Sequence, residues 1–267
     1  MPRYFIEVCY KGTAYSGFQI QKNSVTIQSE VQKALSIFFK RAFTLTGASR
    51  TDAGVHALQN YFHFDADLPL TQITITDRSR YNNTTGSFYS SEEDVELDKF
   101  LYNINAILPL DIVVKRIYQV EDNAHCRFDA VLREYKYFIY KHKNPFLQES
   151  AYYYPYALDI TKLNEAATLL LENEDFTSFS KKNTQSKSFI CDIQKSEWIW
   201  KEPRLIYNVK ARRFLRGMVK GMVGTMLRVG TGKIDLNEFT RIIQKRDCSK
   251  SDFSVPSHAL FLIGVKY

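Results

Sequence analysis

The chain has 267 residues, of which 45% are hydrophobic, so it can bury the core of one large or two small domains. This composition excludes a disordered or fibrous protein, and no run of about 18 apolar residues is present to form a transmembrane helix. The net charge of +7 is concentrated between Lys201 and Lys250, which favours a partner with a phosphate backbone, although a solvated basic surface explains the same charge.

The first half of the chain is predicted to contain six elements in the order β-α-β-β-α-β. Residues 4–10 are rich in aromatic and β-branched residues and predict a strand; because no signal-peptide pattern precedes it, we expect the protein in the cytoplasm. Apolar residues from Ile27 to Phe38 repeat at helical spacing, with Ser24 and Thr26 as candidate N-caps. The remaining elements are a short strand from residue 43, a strand at 60–64, a helix at 97–108 and a strand at 111–120.

The second half repeats this order with one additional helix. A strand at 133–141 places Arg133, Tyr135, Tyr137 and Ile139 on one face. The other predicted elements are a helix at 160–170, strands at 189–200 and 204–211, helices at 214–229 and 236–246, and a strand at 259–267. We therefore expect an α+β fold in which two ferredoxin-like (βαββαβ) halves, 1–122 and 123–267, form one extended mixed or antiparallel sheet with helices on one face. The polar stretch 76–96 predicts an inserted loop.

Metal binding is not expected from the cysteines and histidines. The cysteines form no CxxC pair and are predicted to be free thiols, and the histidines show no HExxH spacing. His56 and His63 could share a metal in space, but two lone histidines make a weak metal site. The four cysteines are Cys9, Cys126, Cys191 and Cys248.

A glycine-rich segment at 47–54 carries the first candidate for chemistry, Asp52. The glycines favour a tight turn between two strands, which holds a short side chain rigidly at the edge of a sheet. By spacing alone, a carboxylate that caps this turn is the more common outcome. The neighbouring Arg50 favours a functional alternative, because its guanidinium can bind a phosphate or fill a stack of bases.

A second candidate is the predicted helix at 214–229 and the residues just before it. Arg212, Arg216 and Lys220 are four residues apart, which predicts a basic stripe that is either solvated or reaches a buried carboxylate and keeps it ionised. Gly217, Gly221 and Gly224 weaken a helix and indicate close packing against another backbone. A third candidate, Tyr135, is either a core residue or a base-stacking residue on the face of Arg133.

These candidates lie in a series of motifs that resembles the tRNA pseudouridine synthase A (TruA) family over nearly the whole chain. The segment GASRTDAGVHA at 47–57 is similar to the family's GRTDAGVHA signature. Lys11 stands where the family often has Asp. The other matching segments, in family order, are YKGTAYSGFQIQ at 10–21, NAILPLDI at 105–112, HCRF at 125–128, REYKY at 133–137, DFTSF at 175–179, FLRGMVKGMVG at 214–224 and LFL at 260–262.

The resemblance implies a role for each aligned residue. Asp52 aligns with the catalytic aspartate, Arg50 with an arginine thought to assist base flipping, Tyr135 with the tyrosine that packs on the target uracil, and Leu260 with a leucine of the base pocket. Lys220 lies where many members carry Arg, so an ion pair with Asp52 is expected from one donor group. The family's RNA-contacting stretches cover Ala124, His125, Cys126, Arg127 and Phe128, and then Asn183, Thr184, Gln185, Ser186 and Lys187. Arg212 and Arg216 of the basic stripe are also expected to contact RNA.

The same resemblance implies isomerisation of uridine to pseudouridine near positions 38 to 40 of tRNA by a homodimer that needs no cofactor or metal. Asp52 would attack either C1′ of the ribose or C6 of the base. Two rival hypotheses follow from the residues. The first is a non-catalytic tRNA-binding or tRNA-folding protein on the same fold. The second is a metal-dependent hydrolase that uses Asp52, His56 and His63.

Overall fold

The computed structural model describes residues 1–67, 92–182 and 186–267. In the first half the described residues form β1 (Arg3–Tyr10), a 3-10 turn at Gly12–Ala14, α1 (Ile27–Phe39), β2 (Thr46–Gly47), β3 (His56–Asp65), α2 (Glu92–Ile107) and β4 (Ile112–Val120). The second half contains β5 (Leu132–Tyr140), β6 (Tyr152–Tyr153), α3 (Ile160–Leu171), β7 (Ile193–Lys201), β8 (Arg204–Ala211), α4 (Met218–Gly230), α5 (Leu236–Lys245) and β9 (Leu260–Lys266).

The two halves share one strand topology, which confirms the predicted α+β fold. In the first half the strands lie in the order β4-β1-β3, with β2 paired to the far side of β3, and in the second half in the order β9-β5-β8-β7. Each half therefore has the antiparallel order 4-1-3-2 of a ferredoxin-like unit. The short β6 adds to β5.

The two sheets join because β2 is short. Strand β2 contains only two residues, which pair with Phe62 and His63 near the end of β3. The beginning of β3 is thereby left open, and His56 and Ala57 pair there with Phe261 and Leu262 of β9, in parallel. The loop that connects β2 to β3 consequently lies where the two halves meet, which is the loop that contains Asp52.

The predicted alternation in β5 is confirmed. Arg133, Tyr135, Tyr137 and Ile139 are all buried, whereas the residues between them are partly exposed. Because Arg133 and Tyr135 follow each other on this buried face, both point toward the junction with the first half. At the start of α1, Thr26 is the N-cap: its hydroxyl accepts from Ser29 N at 3.2 Å, and Ser29 Oγ accepts from Thr26 N at 2.9 Å.

The predicted basic stripe is wrong. Helix α4 begins at Met218, because Gly217 adopts the left-handed conformation (φ +73°) and ends the irregular segment before the helix. Arg212 and Arg216 precede the helix and share no helical face with Lys220. The predicted close packing of the helix glycines is confirmed at Gly224, where a Cβ would lie 2.2 Å from the carbonyl oxygen of Asp252.

Two predictions fall partly or wholly outside the described residues. Residues 76–91 of the predicted loop at 76–96 lie outside the described residues. The prediction of a loop at 92–96 is wrong, because helix α2 begins at Glu92. Asn183, Thr184 and Gln185, three of the predicted RNA contacts, also lie outside the described part. Within 1–67, 92–182 and 186–267, no helix is long and apolar enough to cross a membrane.

Candidate active site

The Asp52 loop is a backbone-closed turn. Val55 N donates to the carbonyl oxygen of Asp52 at 3.2 Å, and Gly54 supplies the positive φ (+80°) that the turn requires. The turn is thus closed by the carbonyl of Asp52, and the carboxylate lies 3.8 Å from Arg216 Nε. Spacing alone had favoured a carboxylate that caps its own turn, and the structure instead closes the turn through the backbone.

The loop is anchored to the two central strands of the first half. The buried amide of Asn60 in β3 donates to Ser49 O at 2.8 Å and accepts from Ser49 N at 3.2 Å. Tyr10, at the end of β1, shares a 2.8 Å hydrogen bond with the Thr51 hydroxyl. Because both anchors are buried, the residues on the N-terminal side of Asp52 have little freedom to move.

Gly12 lets the loop after β1 lie against the Asp52 turn. A Cβ at Gly12 would lie 2.0 Å from the carbonyl oxygen of Val55, and Gly12 N donates to His56 Nδ1 at 3.0 Å. We expect Gly12→Ala to lower the free energy of unfolding by at least about 2 kcal/mol, because a rigid backbone must move to admit the methyl group.

Urea denaturation measures this effect, and Gly264→Ala in β9 is the matched control. There a Cβ would meet only the end of the flexible Gln59 side chain, at 3.1 Å. We expect the control to cost less than about 1 kcal/mol. Equal effects at the two glycines would contradict the proposed close approach of Gly12 to the turn.

The Asp52 carboxylate lies among cations and one aromatic ring of the second half. Its side chain is 29% exposed, and that of Arg216 is 58% exposed. Burial lowers the pKa of Lys220, the charge of Lys181 lowers it further, and the charge of Asp52 raises it, so all three groups are within electrostatic reach. Burial raises the pKa of Tyr135 to about 12, and Asp52 adds to this rise.

The predicted ion pair between Lys220 and Asp52 has a different donor in the structure. Lys220 Nζ donates to Ser257 Oγ at 3.1 Å, whereas Arg216 Nε forms the ion pair with Asp52. The half-buried Lys220 lies within electrostatic reach of Asp52 without a direct contact in the described structure. The reason is geometric: Arg216 precedes α4 and can extend toward the turn, whereas Lys220 leaves the first turn of the helix toward Ser257.

An apolar wall lies beside Asp52. The ring of Tyr135 is buried and meets Phe214 edge-to-face, with ring centroids 5.0 Å apart and planes at 80°. In the sheet, Tyr135 pairs with Leu262, and the buried Leu260 pairs with the next inward residue, Tyr137. Sequence reasoning had not assigned Phe214 to the site, although it opens the matched motif FLRGMVKGMVG. Such a wall can hold the flat face of a base.

Several arginines lie close together where the two halves meet. Arg127 is exposed, and its pKa is lowered by burial of part of the side chain and by the charges of Arg50, Arg133 and Arg213. Exposed Arg50 from the first half and Arg213 from the second therefore lie near Arg127. This concentration of positive charge can bind several phosphates.

The other predicted RNA contacts differ in accessibility. Phe128 is exposed and lies under the Arg127 guanidinium, 5.6 Å from ring centroid to Cζ. Ala124, His125 and Ser186 are half-buried, and Lys187 and Arg212 are exposed. Cys126 is buried, and its thiol donates to Thr46 O at 3.2 Å, so this side chain cannot contact RNA directly.

The separation of His56 and His63 rules out the rival hypothesis of a metal-dependent hydrolase that uses both. His56 and His63 are seven residues apart in one strand, which separates them by roughly 23 Å. His56 bonds Gly12 N and the carbonyl of Glu149. His63 instead lies with His125 and Cys126, within 4.8 Å of both at the ligand atoms.

This cluster of His63, His125 and Cys126 was not predicted, since its members are remote in sequence. Each member already has a structural hydrogen bond. His63 Nδ1 accepts from Cys126 N at 3.3 Å, and His125 Nδ1 accepts from Arg127 N at 3.1 Å. Burial raises the pKa of the Cys126 thiol to about 12, which disfavours the thiolate that a metal requires.

The family model that matches this chain and three of its relatives carry closely similar descriptions. A family model described as tRNA pseudouridine synthase matches residues 166–267. The chain is 39% identical to tRNA pseudouridine synthase A of Azobacteroides pseudotrichonymphae over 267 residues, which cover 100% of this chain and 97% of the relative. It is 41% identical to that of Bacteroides thetaiotaomicron, with 100% and 91% covered, and 30% identical to that of Staphylococcus aureus, with 97% and 89% covered. The chain therefore belongs to the tRNA pseudouridine synthase A family, a family of isomerases.

Proposed function

We propose that this protein converts uridine to pseudouridine at positions 38 to 40, in the anticodon stem-loop of tRNA, with Asp52 as the nucleophile. The observation that carries the proposal is the position of this carboxylate. It lies on a rigid turn at the junction of the two halves, 3.8 Å from Arg216 and beside the buried ring of Tyr135. A carboxylate held in this way, beside a group of arginines, suits a nucleophile that acts on a base of a polyanion.

The proposed reaction breaks the bond between N1 of uracil and C1′ of the ribose and forms a bond between C5 and C1′. The proton on C5 is lost and N1 gains one, so the product is an isomer of the substrate and no electron is transferred. Asp52 forms a covalent bond with C1′ or with C6 and is released at the end. The chemistry therefore requires no cofactor.

The target uridine must leave its base stack before Asp52 can reach it. Exposed Arg50, two residues before Asp52 in the same loop, is suited to occupy the vacated space. Tyr135, with Phe214 behind it and Leu260 nearby, is suited to pack on the extruded base, and its raised pKa keeps the phenol neutral. Arg127 and Phe128 would hold the adjoining backbone.

Release of tritium from uridine C5 tests the proposed reaction. We expect the purified protein to release tritium from a C5-labelled tRNA transcript, because C5 loses its proton when it bonds to C1′. Transcripts with cytidine in place of uridine at 38, 39 and 40 should lose this signal. Tight binding of tRNA without release would favour the non-catalytic tRNA-binding protein, and release from the substituted transcript would overturn the proposed positions.

We also propose that the protein works as a cytoplasmic homodimer. Sedimentation should then give a species of twice the chain mass, with and without tRNA, and fractionation should recover the protein with the cytosol. A species of single-chain mass that retains full tritium release would contradict the dimer.

A further inference from the structure

Arg133 is a buried arginine that the proposed chemistry does not use. It lies in β5, two residues before Tyr135 on the same face, and only 8% of its surface is exposed. A buried guanidinium is costly unless its N–H groups are hydrogen-bonded. Its surroundings therefore indicate what the charge does.

All five N–H groups of Arg133 have oxygen partners, and each partner is neutral. Nε donates to Ser49 Oγ at 3.0 Å, Nη1 to Arg212 O at 2.6 Å, and Nη2 to Arg127 O at 2.8 Å. Longer contacts of 3.4 Å reach Ala48 O and Ala130 O. One guanidinium thus binds three segments that are remote from each other in sequence.

These three segments carry the parts of the proposed site. Ser49 is three residues before Asp52, and Arg212 is four residues before Arg216, which pairs with Asp52. The exposed side chain of Arg127 lies near the exposed Arg50. Arg133 therefore holds, from one point, the nucleophile's loop, the segment of its counter-charge and the segment that faces the polyanion.

Lysine could not substitute for this arginine. An ammonium has three donors on one nitrogen, whereas the guanidinium has five donors fixed in a plane. The five N–H groups of Arg133 reach five different oxygens, so the three donors of a lysine would leave at least two of these oxygens without a donor. Buried oxygens that lose their donor would let their loops shift.

We propose that Arg133 is a positioning residue that holds the Asp52 loop in register with Arg216 and with the RNA-facing segment at Arg127. The inference rests on the proposed role of Asp52. A displacement of about 1 Å at a reacting group can reduce a rate by about 10²-fold. We therefore expect Arg133→Lys to lower kcat for tritium release by about 10²-fold, with KM for tRNA changed less than about threefold.

The matched control is Arg204→Lys in the neighbouring strand β8. Arg204 lies over the Phe138 ring, 4.7 Å from its centroid, and contacts none of the three segments. We expect this control to keep the wild-type kcat. A purely structural role of Arg133 would instead lower the melting temperature and the folded fraction while the folded molecules kept their kcat, and that result would overturn the inference.

Ser49→Ala decides the matter if Arg133→Lys does not fold, because it removes one partner and leaves the guanidinium in place. We expect Ser49→Ala to lower kcat about tenfold. Where Arg133→Lys does fold, we expect the double variant to lose less than the product of the two single losses. A wild-type kcat for Ser49→Ala would overturn the inference. Failure of the proposed function is separate: in that case the wild-type protein would itself release no tritium.

Discussion

Replacement of Asp52 by asparagine is expected to abolish tritium release, with a fall in rate of at least about 10⁴-fold, the scale of loss when a covalent nucleophile is removed. The amide has nearly the size of the carboxylate but neither its charge nor its nucleophilicity. The turn should survive, because it is closed by the backbone bond from Val55 N to Asp52 O and by the anchors on Ser49 and Thr51.

Stability should change little in this variant. The ion pair that asparagine removes is 3.8 Å long and its Arg216 partner is 58% exposed, so it contributes less than about 1 kcal/mol. An unchanged melting temperature and unchanged tRNA binding would show that only chemistry is lost. Asp122→Asn, in an exposed turn of the same half, is the matched control and should keep full activity. Equal release by wild type and Asp52→Asn would contradict the nucleophile.

The fold could be predicted because its signals are local. The alternation of Arg133, Tyr135, Tyr137 and Ile139 gives β5 and its buried face, and the helical spacing after Thr26 gives α1 with its cap. Each pattern shows which side of the strand or helix is buried. The pattern of burial determines secondary structure more than any single residue does. The repeated order of elements then indicates two similar halves.

Errors arose where one backbone torsion or one long-range contact decides the outcome. The basic residues 212, 216 and 220 have helical spacing, but the positive φ of Gly217 delays the helix to Met218. The predicted strand at 60–64 leaves His56 free to approach His63, whereas β3 extends over His56–Asp65 and holds the two histidines apart. The added residues pair with Tyr10 of β1 and with Phe261 and Leu262 of β9, and β9 lies about 200 residues away in sequence.

Some site residues could likewise be predicted from the sequence, and others could not. The family motifs bring Asp52, Arg50, Tyr135 and Lys220 to notice, but no spacing shows that Arg216 is the residue within ion-pair distance of Asp52. Arg133 stands in a matched motif beside Tyr135, and its contacts to Ser49, Arg127 and Arg212 join segments that only the tertiary structure brings together. Long-range contacts of this kind have no local sequence signal.

Replacement of Lys220 by methionine is expected to lower kcat by about 10²-fold without loss of stability. The half-buried ammonium places positive charge near Asp52, and a fixed charge near a reacting group is worth about this much. Methionine fills a similar volume and needs no hydration, so the melting temperature should hold or rise. Arg216→Met, at a 58% exposed side chain, should cost less. Full activity of Lys220→Met would contradict the role of this charge.

The pH dependence of Lys220→Arg separates charge from shape. Burial and the charge of Lys181 lower the pKa of Lys220, with Asp52 opposing, so the ammonium loses its proton below the usual lysine value of about 10.4. Wild-type kcat should fall as pH rises through that lowered pKa, and the arginine variant should keep its activity to higher pH. The free energy of unfolding changes with pH in the opposite direction to kcat. Between the folded and unfolded pKa values the native state binds fewer protons, so the free energy of unfolding rises with pH. Activity and stability that fall together in the wild type would indicate alkaline unfolding instead of titration of Lys220.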